Sequence, residues 1–178
     1  MMTKKLDIAF HVQNPVWKVK LRPYTKTVQE VLEAALAEWV TLSGKKSLDT
    51  SLRWYDKKGD FEIAVVLADD DFVQNLNKQY RGKDKPTNVL SFPDDSFSLS
   101  PKPQATSLNL GDIILAFETI EKEATEQQKT FRNHSKHLLV HGFLHLLGYD
   151  HIKDKDAEIM EKLEIKILKK LGISNPYL

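Results

Sequence analysis

The chain has 178 residues, 41% of them hydrophobic, which is enough for one well-filled core and short for two; a single domain over 1–178 is expected. It contains no cysteine, so disulfides and thiolate metal ligands are excluded, and 26 Lys plus Arg against 25 Asp plus Glu leave a net charge of +1, too little for a global field that attracts polyanions. The most apolar stretch, Leu138–Leu147, is too short to span a membrane, and Met1–Gln13 lacks the apolar run of a signal peptide, so a cytoplasmic protein with no membrane role is expected.

Leu6–Val12 alternates apolar and polar residues and predicts a strand, followed by a polar stretch with Pro15 and Pro23. Thr27 and Glu30 match a capping box, and Val28, Val31, Leu32, Ala35, Leu36 and Trp39 recur at helical spacing up to Gly44. Leu48–Asp56 and Phe61–Ala68 predict two strands joined by a hairpin at Lys57–Asp60, the second so apolar that it belongs in the centre of a sheet. Asp69–Asp71 supply caps for a helix to about Tyr80, with Phe72, Val73, Leu76 and Tyr80 inward. Arg81–Thr87 follows as a polar, proline-bearing loop, Val89–Phe92 as a short strand, and Pro93–Leu110 as a long aperiodic segment of the kind that is often a lid or a disordered insert. Gly111–Phe117 is a further strand.

From Glu118 the pattern is helical and increasingly apolar through Leu138, Leu139, Val140, Phe143, Leu144, Leu146 and Leu147, which predicts a central buried helix ending at Gly148. Lys155–Leu171 is a last amphipathic helix, with Ile159, Met160, Leu163, Ile167 and Leu171 inward and Gly172 at its end. The expected fold is α+β (mixed α/β): a small mixed sheet of about four strands flanked by helices, the buried helix carrying histidines.

Those histidines carry the chemistry. His141 and His145 are four residues apart on one helix face, and Gly148 can turn the chain so that His151 returns beside them. Three neutral imidazoles leave a fourth position open on a divalent transition metal, which is the layout of a catalytic more than of a structural zinc site. His134 and His137 share the stripe, but at about 1.5 Å of rise per residue His137 and His145 are roughly 12 Å apart and cannot hold one ion. His137 can therefore at most support a ligand or face substrate, and for both His137 and His134 ordinary packing or surface placement is the better expectation. The spacing also matches metzincin proteases, which place a general-base Glu after the first histidine; here that residue is Gly142, which disfavours proteolysis. Asp150 could orient a histidine or simply make the turn before His151. Arg81, Lys83 and Lys85 form a local basic patch, as do Lys18, Lys20 and Arg22; Lys162, Lys166, Lys169 and Lys170 read as a solvated helix face.

Two blocks, Tyr80–Pro93 (Tyr-Arg-Gly-Lys-Asp-Lys-Pro-Thr-Asn-Val-Leu-Ser-Phe-Pro) and His141–His151, together with the weaker Gly111-Asp112-Ile113, resemble the YbeY family of metal-dependent endoribonucleases. The resemblance covers Phe61–His151, while the first sixty residues and the last helix match only in layout. It implies a single-strand-specific endoribonuclease that hydrolyses RNA phosphodiester bonds in ribosomal RNA processing, including maturation of the 16S rRNA 3' end, and in ribosome quality control. It further implies one divalent ion, Zn2+, held by His141, His145 and His151, with Arg81 and His141 catalytic, Lys83 and Lys85 as RNA-binding candidates, and ribosomal RNA and the small ribosomal subunit as partners, with no DNA expected. A divalent ion and a guanidinium together suit the charge that builds on phosphoryl oxygens during cleavage. The competing expectation is a ribosome-associated assembly factor in which the metal mainly holds the turn after the histidine helix.

Overall fold

The computed structural model describes residues 5–43, 60–94 and 107–178. Its elements in chain order are β1 (Leu6–Val12), α1 (Trp17–Lys20), α2 (Tyr24–Ser43), β2 (Asp60–Ala68), α3 (Asp70–Arg81), β3 (Val89–Pro93), β4 (Ser107–Ala116), α4 (Phe117–Glu126), α5 (Phe131–Leu146) and α6 (Asp154–Lys170). The described strands make one mixed sheet in the order β1-β2-β4-β3, with β1, β2 and β4 parallel and β3 antiparallel on the edge. The expected mixed sheet flanked by helices is thus present. The strand expected at Leu48–Asp56, its hairpin turn up to Gly59 and the central part of the Pro93–Leu110 segment lie outside the described residues; both edges of β2 are taken, by β1 and β4.

Alternation in β2 sorts the molecule into two apolar layers. Phe61, Ile63, Val65 and Leu67 face a main core built with α2, α5 and α6, while Val66 and Ala68 face a smaller one with Val73 of α3, Leu90 of β3 and Ile114 of β4. In β4 that alternation is reset by a bulge. Glu62 pairs with Asn109 but Ala64 with Asp112, so Leu110 and Gly111 together oppose Ile63. Leu108 before the bulge, Leu110 within it, and Ile113 and Leu115 after it consequently all reach the main core.

Several helices depart from the predicted bounds. Thr27 does not cap α2: the helix starts at Tyr24, and the Thr27 amide and hydroxyl both donate to the Pro23 carbonyl at 2.9 Å, inside the first turn. Val28, Val31, Leu32, Ala35, Leu36 and Trp39 are buried, as their spacing requires. α1 was not predicted, because four residues are too few for a period to emerge; Trp17 anchors it, fully buried, with Nε1 donating to the Ala68 carbonyl at 2.9 Å. The continuous helix expected from Glu118 is two. Gln128 takes a positive φ of 53° after α4, and the Thr130 hydroxyl accepts from the Asn133 amide at 3.1 Å to start α5 afresh. Ile159, expected inward on α6, is 56% exposed; the buried stripe is Met160, Leu163, Glu164, Ile167 and Leu168. Lys166 and Lys170 are not simply solvated: each pairs at 2.5 Å with an oxygen of the buried Glu38 of α2.

Gly111 offers the sharpest test of this arrangement. Its φ is +116°, and a Cβ there would lie 2.0 Å from the Phe92 carbonyl oxygen and 2.9 Å from the Asp94 amide, both backbone atoms that cannot swing aside. Gly111→Ala is expected to cost about 3 kcal/mol or more through combined strain and overpacking, read as a lowered urea midpoint with unchanged slope.

Candidate metal centre

α5 runs across β3 and β4 on the main-core side, and Gly142 permits that close approach. A Cβ at Gly142 would lie 3.0 Å from Ser91 Oγ, 3.1 Å from Ile113 Cγ2 and 3.3 Å from Val89 Cγ2, while Ser91 Oγ donates to the Gly142 carbonyl at 3.1 Å. The residue after His141 is thus pressed against the sheet. The position a metzincin gives to its general base is crowded here even for a Cβ.

α5 ends in a Schellman closure. The Gly148 amide donates to the His145 carbonyl and the Tyr149 amide to the Leu144 carbonyl, both at 3.0 Å, with Gly148 at a φ of +85°. This reversal brings His151 back to α5. The ligating atoms of His141, His145 and His151 all lie within 4.8 Å of one another, with ring centroids 4.6 to 5.2 Å apart.

Hydrogen bonding then assigns the ring nitrogens. His141 Nδ1 faces Glu164 Oε1 at 2.8 Å, and His145 Nδ1 faces the Tyr149 carbonyl at 2.9 Å. Glu164 as carboxylate, and the carbonyl always, can only accept, so in the neutral rings both Nδ1 atoms carry the proton and both Nε2 atoms carry a lone pair. Those two Nε2 atoms are 3.1 Å apart. Two lone pairs held that close repel unless a cation lies between them. Nitrogens about 2.0–2.1 Å from a tetrahedral zinc ion are separated by about 3.4 Å, so the donor set fits such an ion. Burial pushes the His145 imidazole pKa down, with His141 and His151 adding to the effect, which favours the neutral form that ligation needs.

Glu164, which sequence reasoning missed, is the carboxylate behind the triad. Its side chain has no solvent exposure; Oε1 accepts from His141, and Oε2 from His137 Nε2 at 3.0 Å and from the Tyr177 hydroxyl. Burial alone would raise its pKa, but the hydrogen bonds from His137, His141 and Tyr177 and the proximity of His141 prevail and bring it down to about 2. Its signal in the sequence was a glutamate on the apolar stripe of α6, between Leu163 and Ile167.

The remaining candidates fall in different places. His137 is engaged by Glu164, with no place in the triad. His134 is buried, not on the surface, with Nε2 2.8 Å from Glu123 Oε2 of α4. Asp150 is exposed and accepts from the His151 amide at 2.7 Å, a turn contact. Arg81 closes α3 on the other side of the sheet, exposed, and no hydrogen bond or ion pair links it to the triad among the described residues. Lys83 and Lys85 are exposed on the following loop, which is held by Asn77 Nδ2 donating to the Lys85 carbonyl at 2.7 Å and by a Lys78–Asp84 ion pair at 2.7 Å. In the early basic patch, Lys20 is paired with Glu121 at 2.6 Å.

The family described as Endoribonuclease YbeY matches residues 11–172 of this chain. Among similar proteins, the Endoribonuclease YbeY of Methylocella silvestris is 43% identical over 176 residues, covering 99% of this chain and 87% of that protein. That of Sinorhizobium medicae is 42% identical over 172 residues, covering 97% and 95%. That of Acinetobacter baumannii is 53% identical over 134 residues, covering 75% and 84%. The solution structure of TM1509 from Thermotoga maritima shares the fold, with a TM-score of 0.53 at 24% identity over 92% of this chain and 87% of that one.

Two outcomes follow from Glu164. If the triad takes a divalent ion, Glu164→Ala is expected to weaken its binding about 10- to 100-fold, measured by competition with a chromophoric chelator, while the triad residues remain in place. In metal-free protein, because the folded pKa lies below the ordinary value of 4.5, the stabilisation from this carboxylate is present above pH 4.5 and lost as pH falls towards 2. The urea-midpoint advantage of wild type over Glu164→Gln should shrink across that window.

Proposed function

This chain belongs to the Endoribonuclease YbeY family, and on that footing we propose that it is a zinc-dependent endoribonuclease that hydrolyses phosphodiester bonds of single-stranded RNA. In this proposal it acts in the cytoplasm on ribosomal RNA precursors, including the 3' end of 16S rRNA, contacts the small ribosomal subunit, and serves ribosome quality control; DNA is not a substrate. The domain is taken as one unit over 1–178. No helix among the described residues is long and apolar enough to cross a membrane.

The observation that carries the proposal is the pair of facing Nε2 lone pairs with a third imidazole beside them. His141, His145 and His151 would hold the ion. A divalent ion with an open position activates a water and offsets charge developing on a phosphoryl oxygen. The protein residues do the rest. Glu164 and the Tyr149 carbonyl fix the imidazole orientations, and His141, as both ligand and catalytic residue, presents Nε2 with its proton kept on Nδ1. Arg81, whose guanidinium has no internal partner among the described residues, is available to a phosphate of the RNA, with Lys83 and Lys85 beside it on a loop already held by Asn77 and Asp84.

A second proposal, an assembly factor with a structural ion, draws on His151 lying in the turn between α5 and α6, where an ion would hold that turn against α5. Purified protein, assayed on a labelled single-stranded RNA with its metal content measured, distinguishes them. For the enzyme, His145→Ala abolishes cleavage in a still-folded protein. Arg81→Ala lowers cleavage by about 100-fold with zinc content and melting temperature unchanged, since an exposed substitution there shifts stability by no more than about 0.5 kcal/mol. Unfolding of His145→Ala, or zinc uptake by a wild type that does not cleave, supports the structural role instead. With three cations in the patch, log affinity for single-stranded RNA should fall against log salt with a slope of about −2.

A further inference from the structure

Three donors converge on the buried Glu164 carboxylate, and they do not come from one place. His137 and His141 reach it from α5, whereas Tyr177 reaches it from the segment that follows α6. That segment is tied down along its length. After Gly172 turns the chain at a φ of +72°, the Ile173 amide donates to the Leu168 carbonyl at 2.9 Å, Lys129 Nζ donates to the Pro176 carbonyl at 2.8 Å, and the Tyr177 amide donates to Asn175 Oδ1 at 3.0 Å. The Tyr177 ring stands edge-on to His137 with centroids 5.7 Å apart, and the residue is 45% exposed, so it is not held there by core burial. It also lies beyond residue 172, where the family match ends.

We propose that Tyr177 is a positioning residue of the metal centre: its hydroxyl, donating to Glu164 Oε2, locks the carboxylate so that Oε1 stays on His141 Nδ1 and His141 Nε2 stays unprotonated towards the ion. This rests on the metal-centre proposal and deepens it. With Oε2 engaged by both His137 and Tyr177, the carboxylate cannot rotate without breaking two hydrogen bonds in a place water does not reach. Without the hydroxyl, Oε2 keeps one donor, the carboxylate gains freedom, and the Nδ1–H form of His141 loses its fixed acceptor. The segment after α6 is in this way part of the site, although none of its atoms belongs to the triad.

The test uses the full chain as wild type, Tyr177→Phe, Glu164→Gln and the double variant. Zinc affinity is measured by competition with a chromophoric chelator, and the His141 tautomer of metal-free protein by nitrogen-15 NMR of the imidazoles. Tyr177→Phe is expected to lower zinc affinity about tenfold, the low end for residues supporting a ligand. The double variant is expected to bind no more weakly than Glu164→Gln alone, because both changes act through one carboxylate. His141 is expected to be the Nδ1–H tautomer in wild type and a tautomer mixture in Tyr177→Phe. Wild-type affinity in Tyr177→Phe, even with a lowered melting temperature, would overturn the positioning role, as would losses that multiply in the double variant. A wild type that takes up no zinc would overturn the metal-centre proposal itself, and this one with it.

Discussion

A carboxylate with no access to water, Glu164, sets the geometry on which the candidate site depends. Left without donors, such a group would cost several kcal/mol or take up a proton. Its donors are two histidines of α5 and one tyrosine, so α6 has to lie against α5 in one register. Apolar packing of Met160, Leu163, Ile167 and Leu168 supplies the driving force for that contact but tolerates sliding, as hydrophobic surfaces do. The hydrogen bonds do not. Glu38 repeats the device between α2 and α6, its buried carboxylate clamped by Lys166 and Lys170.

The sheet contributes the other half of the constraint. The bulge at Leu110-Gly111 turns Ile113 towards α5, and Gly142 lets the helix backbone come down onto Ile113, Val89 and Ser91. His141 is the residue next to that contact, so its place is set by backbone packing on one side and by Glu164 on the other. His145 is fixed differently, through the carbonyl of a turn whose form Gly148 makes possible. One imidazole is thus oriented by a side chain from another helix and its neighbour by the local chain reversal. Together they put two lone pairs 3.1 Å apart.

The histidine cluster was legible because it is local. A four-residue spacing on a helix and a glycine-terminated turn are properties of eleven consecutive residues, and no tertiary information is needed to bring His141, His145 and His151 together. Long periodic elements such as α2 and α5 were legible for the same reason. Glu164 and Tyr177 were not, since their role depends on which helix packs where; a glutamate among Leu163, Ile167 and Leu168 reads as a polar interruption until its partners are known. The break between α4 and α5 was hidden by residues compatible with a helix on both sides, with Thr130 as the sole capping signal. The placement of Ile159 failed because the inward stripe of α6 runs through Glu164, which hydrophobicity alone assigns outward. Arg81 was singled out as catalytic only through the sequence block that resembles the family; it ends α3, the helix whose Val73 packs on the smaller core.

The most direct measurement is a titration of demetallated protein with zinc while cleavage of a labelled single-stranded RNA is followed. No cleavage is expected without metal, and activity should rise linearly and saturate at about one equivalent, as a single three-histidine site requires. Undiminished cleavage by the metal-free protein, or one equivalent of zinc bound with no cleavage at all, would contradict that expectation.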